Sequence, residues 1–233
     1  MTANIFLLPG FDGTGELYAP LQSALGEDYP TVAIRYRDEV TFDDYVNLVS
    51  SMLPPKDAIL IAESFSGPIA LELIKRHPSQ IKCVVLCATF ASSPFYFLTR
   101  LSSFLPDFFF RLNPAQKAIL QGFCFDRKTD PALISKALSV IRSVPARVIK
   151  SRIRVLAGID IYASLSQIAV PVLYIQAMQD KIVGARLSQK LVGGMPNVTV
   201  KKVDGPHLLL QTRPDECAAI IKSFITVGVR DVK

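Results

Sequence analysis

Short apolar segments alternate with amphipathic segments along most of the chain. Each apolar segment lacks the polar alternation of a half-exposed strand, so it predicts a strand that is buried on both faces. The segments between them have helical periodicity, as at residues 66–76 and 214–226. This order predicts an α/β fold in which helices cover both faces of a mostly parallel sheet of about six strands. The predicted strands are residues 5–8, 31–36, 58–62, 81–87, 170–176 and 198–203.

One interval interrupts this alternation. No strand pattern is visible between residues 91 and 166, where residues 131–141 and 144–156 have helical spacing instead. Roughly 75 residues is too long for a structureless loop in a compact domain, so this interval predicts a helical subdomain inserted after the fourth strand. We therefore expect residues 1–90 and 167–233 to form the core and residues 91–166 to form a helical insert.

The composition indicates a folded, cytoplasmic protein. Of the 233 residues, 50% are hydrophobic and the mean hydropathy is +0.32, which excludes intrinsic disorder. The uncharged stretch at residues 84–99 contains Pro94 and several hydroxyl groups, and residues 1–14 have no basic region, so we expect neither a transmembrane segment nor a secretory leader. The four cysteines are then expected to be buried free thiols. A net charge of +6 without a recognisable motif does not favour nucleic-acid binding.

A serine directly follows the third predicted strand. The segment ILIAESFSG (residues 59–67) places Ser64 between a buried strand and a helix, with the small residues Ala62 and Ser66 two positions away on either side. A tight strand-to-helix turn needs small residues there, because larger side chains would clash where the two backbones crowd together. A serine at this position is also a common helix N-cap, so the position alone leaves a structural role open.

A nucleophilic serine needs a histidine base, and the histidine needs an acid that orients it. The chain holds two histidines. His77 ends a predicted helix and precedes a proline, which is typical of a structural helix end. His207 lies between the sixth predicted strand and the last predicted helix. Two acids are candidates: Asp180 soon after the fifth strand, and Asp204, which is three residues before His207 and is expected to cap a turn.

The segment around Ser64 resembles the nucleophile elbow of the α/β-hydrolase family, usually written G-x-S-x-G. Ala62 and Ser66 depart from its glycines but satisfy the size limit. The resemblance implies the family's chain order of serine, acid and histidine, and hence Ser64, Asp180 and His207 as a catalytic triad. It also implies a shortened sheet, because the first predicted strand matches the third strand of the family.

Acyl transfer also needs N–H donors for the developing oxyanion. The family takes one from the residue after the nucleophile, here Phe65, and one from the loop after an early strand. That loop reads LPGFDGTG (residues 8–15), in which Pro9 stands where the family often has histidine and Gly10 keeps the tight turn. The resemblance therefore implies Phe11 as the second donor, with Gly10, Phe11 and Phe65 contacting substrate. The glycine spacing is neither that of a P-loop nor that of a dinucleotide-binding loop, so no nucleotide is expected.

The resemblance to this family implies a serine carboxylesterase. A serine nucleophile excludes the dehalogenases and epoxide hydrolases of the family, which use aspartate. The expected reaction is hydrolysis of a small to medium acyl ester through an acyl-enzyme, without a metal or an organic cofactor. The alternatives left open are a pimeloyl-acyl-carrier-protein methyl ester esterase, a thioesterase, an acyltransferase to an alcohol, a lyase or carbon–carbon hydrolase, and a non-catalytic ligand receptor on the same fold.

The resemblance implies that the insert is a cap over the active site. Phe95 and Phe97 belong to its aromatic residues, which are expected to line an apolar acyl pocket or to pack the cap onto the core. Contact with a membrane surface or lipid droplet is a third alternative. Between Asp130 and Asp160 the insert holds basic residues but no acidic ones. Such a charge run is usually a solvated face, and the alternative is a docking surface for an acidic acyl carrier protein. The residues assigned to that surface are Arg142, Arg147, Lys150, Arg152 and Arg154.

Overall fold

Six parallel strands form a single sheet in the computed structural model of the chain. The structure describes residues 4–94, 96 and 114–227. The strand order is β2-β1-β3-β4-β5-β6. This confirms the predicted α/β fold with a short sheet of about six strands. The strands are β1 (Asn4–Leu8), β2 (Thr31–Ala33), β3 (Ala58–Glu63), β4 (Ile81–Cys87), β5 (Val172–Ala177) and β6 (Val198–Val203).

Helices cover both faces of this sheet because alternate strand residues point to opposite sides. The helices in the described residues are α1 (Ala19–Leu25), α2 (Phe42–Met52), α3 (Gly67–Arg76), α4 (Pro114–Cys124), α5 (Pro131–Ser143), α6 (Ala146–Gly158), α7 (Gly184–Gly194), α8 (Leu209–Thr212) and α9 (Pro214–Val227). Leu60 and Ala62 of β3 join an apolar cluster with residues of α2 and α3, whereas Ile59 and Ile61 join a second cluster with residues of α1 and α9.

Local capping signals set where several helices begin. A capping box starts α2, in which the Thr41 hydroxyl and the Asp44 carboxylate each accept the other's backbone N–H. The Asp130 carboxylate accepts the N–H of Ala132 at 2.8 Å and so caps α5, whose first residue is proline. These capping interactions fix where the helices begin, and the apolar face of each helix determines how it packs.

The two edge strands differ from their predictions. The segment predicted as a strand at residues 31–36 pairs with β1 only as far as Ala33, and the N–H of Tyr36 then donates to the Gly13 carbonyl at 2.8 Å instead of continuing the ladder. The prediction that every strand is buried on both faces is wrong for β2, whose Val32 is 47% exposed, and for β6, whose central residues are exposed. Lys201 and Lys202 of β6 keep the edge of the sheet in water and discourage pairing with another chain.

The described part of the insert is helical. Helices α4, α5 and α6 and a 3-10 turn at Tyr162–Gln167 lie between β4 and β5. Ser92 and Asp160 form an isolated antiparallel bridge, so the chain leaves and re-enters the core at adjacent points near the predicted limits of the insert. The division into core and cap stays a prediction, and Phe95 and Phe97 lie outside the described residues.

All four cysteines are free and buried, as predicted. Burial raises the pKa of the Cys83 and Cys217 thiols to about 12, which keeps them protonated and unreactive. Among the helices that the structure describes, none is long and apolar enough to cross a membrane.

Candidate active site

Ser64 occupies a strained turn at the end of β3. Its φ of 49° lies in the left-handed region, which a residue with a side chain seldom adopts away from functional sites. The chain then makes one 3-10 turn and enters α3 at Gly67. A Cβ on Gly67 would lie 1.9 Å from Oγ1 of Thr89, so only glycine fits there. The Thr89 hydroxyl donates to the Ser64 carbonyl, which holds the turn in place.

Ser66 does more than satisfy the size limit of this turn. Its buried hydroxyl donates to the Pro9 carbonyl, and the hydroxyl of Tyr36 lies 2.8 Å from Ser66 Oγ. The elbow after β3 is thereby joined to the loop after β1. The sequence showed only that Ser66 is small, because neither partner is near it in the chain.

A chain of hydrogen bonds links Ser64, His207 and Asp180. Oγ of Ser64 lies 2.9 Å from Nε2 of His207, and Nδ1 of the same ring lies 2.9 Å from Oδ2 of Asp180. His207 is placed by the loop between β6 and α8, and Asp180 by the loop after β5. The three side chains come from the carboxyl ends of three strands, where parallel sheets carry their functional residues. All three are almost fully buried.

The second oxygen of Asp180 is also satisfied. Oδ1 accepts the backbone N–H groups of Ile182 and Val183 at 2.8 and 3.0 Å. Burial alone would raise the pKa of Asp180, but the hydrogen bond and charge of His207 and the two backbone donors together lower it. Asp180 is therefore ionised and fixed in orientation at neutral pH.

The other candidate acid and base lie elsewhere. The exposed Asp204 accepts a hydrogen bond from Nε2 of Gln179 at 2.7 Å and does not contact the His207 ring. His77 is the C-cap residue of α3, with its Nε2 3.0 Å from Oγ of Ser50. The structural role predicted for His77 is confirmed, and Asp180 rather than Asp204 holds His207.

The loop after β1 turns back beside Ser64. The N–H of Gly13 donates to the Gly10 carbonyl at 3.1 Å and closes a tight turn, in which Gly13 has a φ of 68°. A Cβ on Gly10 would lie 3.9 Å from Cβ of Ser64, so the turn approaches the serine closely. The rings of Phe11 and Phe65 meet edge to face, with centroids 6.1 Å apart. Both residues named as oxyanion donors thus lie beside Ser64.

Comparison with known proteins settles the family. The sequence profile of the serine aminopeptidase S33 family matches residues 36–209, which is more than half of the chain and includes Ser64, Asp180 and His207. The chain belongs to this family of α/β hydrolases.

Relatives of this S33 family hydrolase cover most of its length. A Caulobacter vibrioides protein named as the carbamate hydrolase RutD is 26% identical over 243 residues, which cover 95% of this chain and 89% of the relative. The pimeloyl-[acyl-carrier protein] methyl ester esterase of Aromatoleum aromaticum is 24% identical over 197 residues, which cover 75% of this chain and 77% of the relative. The crystal structure of the enol-lactonase from Burkholderia xenovorans LB400 superimposes with a TM-score of 0.83 at 17% identity, over 97% of this chain and 92% of that chain. At that identity it shows the fold alone.

Sequence reasoning about this hydrolase missed Glu63, the residue directly before Ser64. Its carboxyl group is 2% exposed, and Oε2 accepts a hydrogen bond from Nε2 of Gln211 at 2.9 Å. Oε1 has no partner among the described residues. Burial raises the pKa of Glu63 to about 7, although the Gln211 hydrogen bond and the charge of His207 act in the opposite direction. An acidic residue inside an otherwise apolar strand is the only sign of this in the sequence.

Replacing Glu63 by glutamine is expected to change how stability depends on pH. Between its unfolded and folded pKa values, the folded protein holds a proton that the unfolded chain has lost, so the stability of the wild type falls as the pH rises towards 7. The glutamine variant has no titrating group at this position, so its stability does not fall in this way. Its free energy of unfolding should therefore gain about 2–3 kcal/mol relative to wild type between pH 5 and pH 8. Urea denaturation at a series of pH values measures the free energy of unfolding of both proteins. If the two plots of this free energy against pH were parallel, they would contradict the assignment.

The placement of Arg152 on a docking surface is wrong. This α6 side chain is only 1% exposed and turns inward. Its guanidinium donates to the carbonyls of Phe11 and Asp12 at 3.0 and 2.5 Å, because α6 packs against the turn after β1. The remaining residues of that predicted surface differ in exposure: Arg142, Arg147 and Arg154 are exposed and Lys150 is half-buried.

A cavity of about 640 Å³ lies beside the loops that carry Asp180 and His207. Gln179, Lys181 and Pro206 line it from these loops, and Phe125 and Ile134 line it from the insert. It is large enough for a small organic molecule.

Among the described residues, no group of three or more His, Cys, Asp and Glu side chains is arranged to hold a metal ion.

Proposed function

We propose that this hydrolase cleaves carboxylic esters through an acyl-enzyme, with Ser64 as nucleophile, His207 as base and Asp180 as the orienting acid. The observation that carries the proposal is the pair of 2.9 Å contacts that joins the three side chains in that order. A helix-capping serine would need no such partners. The strained φ of Ser64 also supports a functional role.

The reaction follows from which atoms face one another. Ser64 Oγ attacks the carbonyl carbon while Nε2 of His207 takes the hydroxyl proton, and Asp180 holds the proton on Nδ1 and stabilises the charged ring. The electron pair of the carbonyl double bond moves onto the carbonyl oxygen, which becomes an oxyanion. When the double bond re-forms, the carbon–oxygen bond to the alcohol breaks and His207 gives its proton to the leaving oxygen. Water then attacks the acyl-enzyme by the same steps and releases the acid and Ser64.

We assign the oxyanion donors to the backbone N–H groups of Phe65 and Phe11. Phe65 is the first residue after Ser64, and its N–H lies at the start of the helix that follows the elbow. The Gly10 carbonyl accepts from Gly13, so in the trans Gly10–Phe11 peptide the N–H of Phe11 points the opposite way, out of the turn. Donors of this kind act only on the charge that develops in the transition state.

Hydrolysis of a p-nitrophenyl ester series from acetate to laurate tests this proposal. We expect turnover that peaks at one chain length, since an acyl pocket of fixed size rewards one fit. p-Nitrophenyl carbamates provide a second arm, because one relative bears the name of a carbamate hydrolase. No turnover in either arm, together with covalent labelling of Ser64 by a fluorophosphonate, would mean that the nucleophile is reactive and the substrate class is wrong.

A second candidate is an ester presented by an acyl carrier protein. Two observations favour it: a relative is named for that activity, and exposed arginines lie on α5 and α6 of the insert. These arginines are Arg142, Arg147 and Arg154, and Arg147 already contacts Asp38 at 3.2 Å. The carrier is acidic, so such a surface would steer it towards the site.

Charge reversal of Arg142 and Arg154 to glutamate separates the two candidates. We expect turnover of a small ester to stay within about twofold of wild type, because both side chains are exposed on the insert. Cleavage of a carrier-bound ester should fall by about tenfold or more and lose its dependence on salt. Arg186→Glu combined with Lys56→Glu is the matched control, because both residues are exposed outside the insert and their reversal changes the net charge by the same amount. Equal rates on the carrier-bound ester before and after reversal would exclude this docking surface.

A further inference from the structure

Arg152 is a buried cation whose Nη atoms donate to main-chain carbonyls, while its Nε has no partner among the described residues. It lies on α6 of the insert, 140 positions along the chain from Asp12, yet its guanidinium reaches the turn beside Ser64. Nη1 donates to the carbonyls of Phe11 and Asp12, and Nη2 lies 3.4 Å from the Tyr36 carbonyl. Burying a charged group is costly unless hydrogen bonds compensate it. Because burial of the Arg152 guanidinium is costly, packing alone does not explain why an arginine occupies this position.

The contacts form one continuous hydrogen-bond chain. Arg152 donates to the Asp12 carbonyl at 2.5 Å. The N–H on the other side of that peptide belongs to Gly13, and it donates to the Gly10 carbonyl at 3.1 Å. The N–H on the other side of the Gly10 peptide belongs to Phe11. Because the described residues contain no cis peptide bond, each N–H points away from its carbonyl and the two peptide dipoles are aligned in series.

We propose that Arg152 is a positioning residue for the oxyanion donor, which aligns and polarises the Phe11 N–H through this chain. The proposal rests on the proposed function, since Phe11 has an anion to stabilise only if Ser64 attacks a carbonyl. A charged donor makes stronger hydrogen bonds than a neutral one, and hydrogen bonds in series strengthen one another. The Phe11 N–H is thereby held in place before the charge develops, which is the condition for strong stabilisation of an oxyanion.

Gly13 supports this arrangement from the other side. A Cβ on Gly13 would lie 2.3 Å from Nη2 and 2.6 Å from Nη1 of Arg152. The absence of a side chain therefore leaves room for the guanidinium as well as permitting the φ of 68° that the turn requires. One glycine serves both the turn and the cation that contacts it.

The test compares Arg152→Met with wild type on the preferred p-nitrophenyl ester. Methionine keeps an apolar stem and removes every donor. We expect kcat to fall by about 10- to 100-fold with KM within about twofold, because the chain acts on the transition state and a directly removed oxyanion donor costs about 10²–10³. Affinity for a trifluoromethyl ketone, whose adduct with Ser64 carries an oxyanion, should fall by the same factor as kcat. A purely structural role would not link these two quantities.

Lys136→Met is the matched control. It removes an exposed cation of the insert, whose only ion pair in the described residues joins it to Glu16 at 2.8 Å. We expect kcat and inhibitor affinity to match those of wild type. Thermal unfolding of each variant shows whether it is folded before its kinetics are compared.

Arg152→Lys keeps the test decisive if the methionine variant does not fold. Lysine keeps the positive charge and can still donate to one of the carbonyls, but it lacks the planar set of donors of the guanidinium group. We therefore expect kcat about tenfold below wild type. A folded variant of either kind with kcat and ketone affinity within twofold of wild type would overturn the role of Arg152, as would a rise in KM alone. A wild type that neither hydrolyses esters nor reacts with a fluorophosphonate would instead overturn the proposed function and this role with it.

Discussion

Replacing Ser64 by alanine is expected to lower kcat on p-nitrophenyl esters by about 10⁶-fold, to the level of the uncatalysed reaction plus what binding alone supplies. The hydroxyl is the only part of the side chain that the variant loses, and its contact in the site is with Nε2 of His207. No acyl-enzyme can then form. Labelling with a fluorophosphonate should be lost in parallel, and steady-state kinetics with mass spectrometry measures both.

A buried serine outside the site provides the control for this substitution. Ser188 on α7 hydrogen-bonds to the hydroxyl of Tyr174 at 2.8 Å and is also almost fully buried. Ser188→Ala should cost about 1 kcal/mol of stability and leave kcat unchanged. Ser64→Ala, by contrast, should unfold near the wild-type temperature. Residual activity of more than about 1% of wild type in the Ser64 variant would mean that another group is the nucleophile.

The centre of the fold could be predicted because its physical cause is local. A strand with helices on both faces is largely apolar, and residues 58–62 of β3 and 83–87 of β4 therefore stand out in the sequence as short apolar segments. The same rule fails at the edge, where β6 is exposed and carries two lysines. An edge strand has a neighbour on one side only and is partly exposed to water, so it can carry polar residues. Its apolar residues alone therefore do not show where it lies in the sheet.

The position of Ser64 could be predicted for a related reason. The limit on side-chain size around a strand-to-helix turn acts on residues within three positions of one another, so a single sequence segment records it. Gly67 satisfies a limit set from outside the segment, by Thr89 on the loop after β4. The glycine is visible in the sequence, but the group that requires it is not.

Arg152 and Glu63 could not be placed from the sequence because their surroundings come from distant segments. The basic residues of α5 and α6 have the spacing of a solvated charged face, and nothing local marks the one that turns inward. Its carbonyl partners become neighbours only when the insert packs on the turn after β1. Glu63 is likewise paired with Gln211 across 148 positions of the chain. The position of an ionisable group on a strand or helix predicts its neighbours in that element and not its partners across the fold.

Asp180→Asn is expected to lower kcat by about 10⁴-fold while the fold is preserved. The backbone N–H groups of Ile182 and Val183 both donate to Oδ1, so the amide oxygen of an asparagine should take that place. Its NH₂ group then faces Nδ1 of His207, which can only accept from it. The ring proton is forced onto Nε2, and Nε2 can no longer accept the proton of Ser64.

Asp204→Asn is the matched control for this change of tautomer, because it makes the same substitution on the same side of the site. Asp204 is exposed and bonds to Gln179 rather than to the ring, so we expect kcat/KM within about twofold of wild type. Measurement of kcat/KM from pH 5 to pH 9 for both variants tests the assignment. A nearly unchanged Asp180 variant beside an inactive Asp204 variant would transfer the acid to Asp204. Loss in the Asp180 variant alone, with labelling of Ser64 slowed by a similar factor, would show that the carboxylate acts through His207 on the nucleophile.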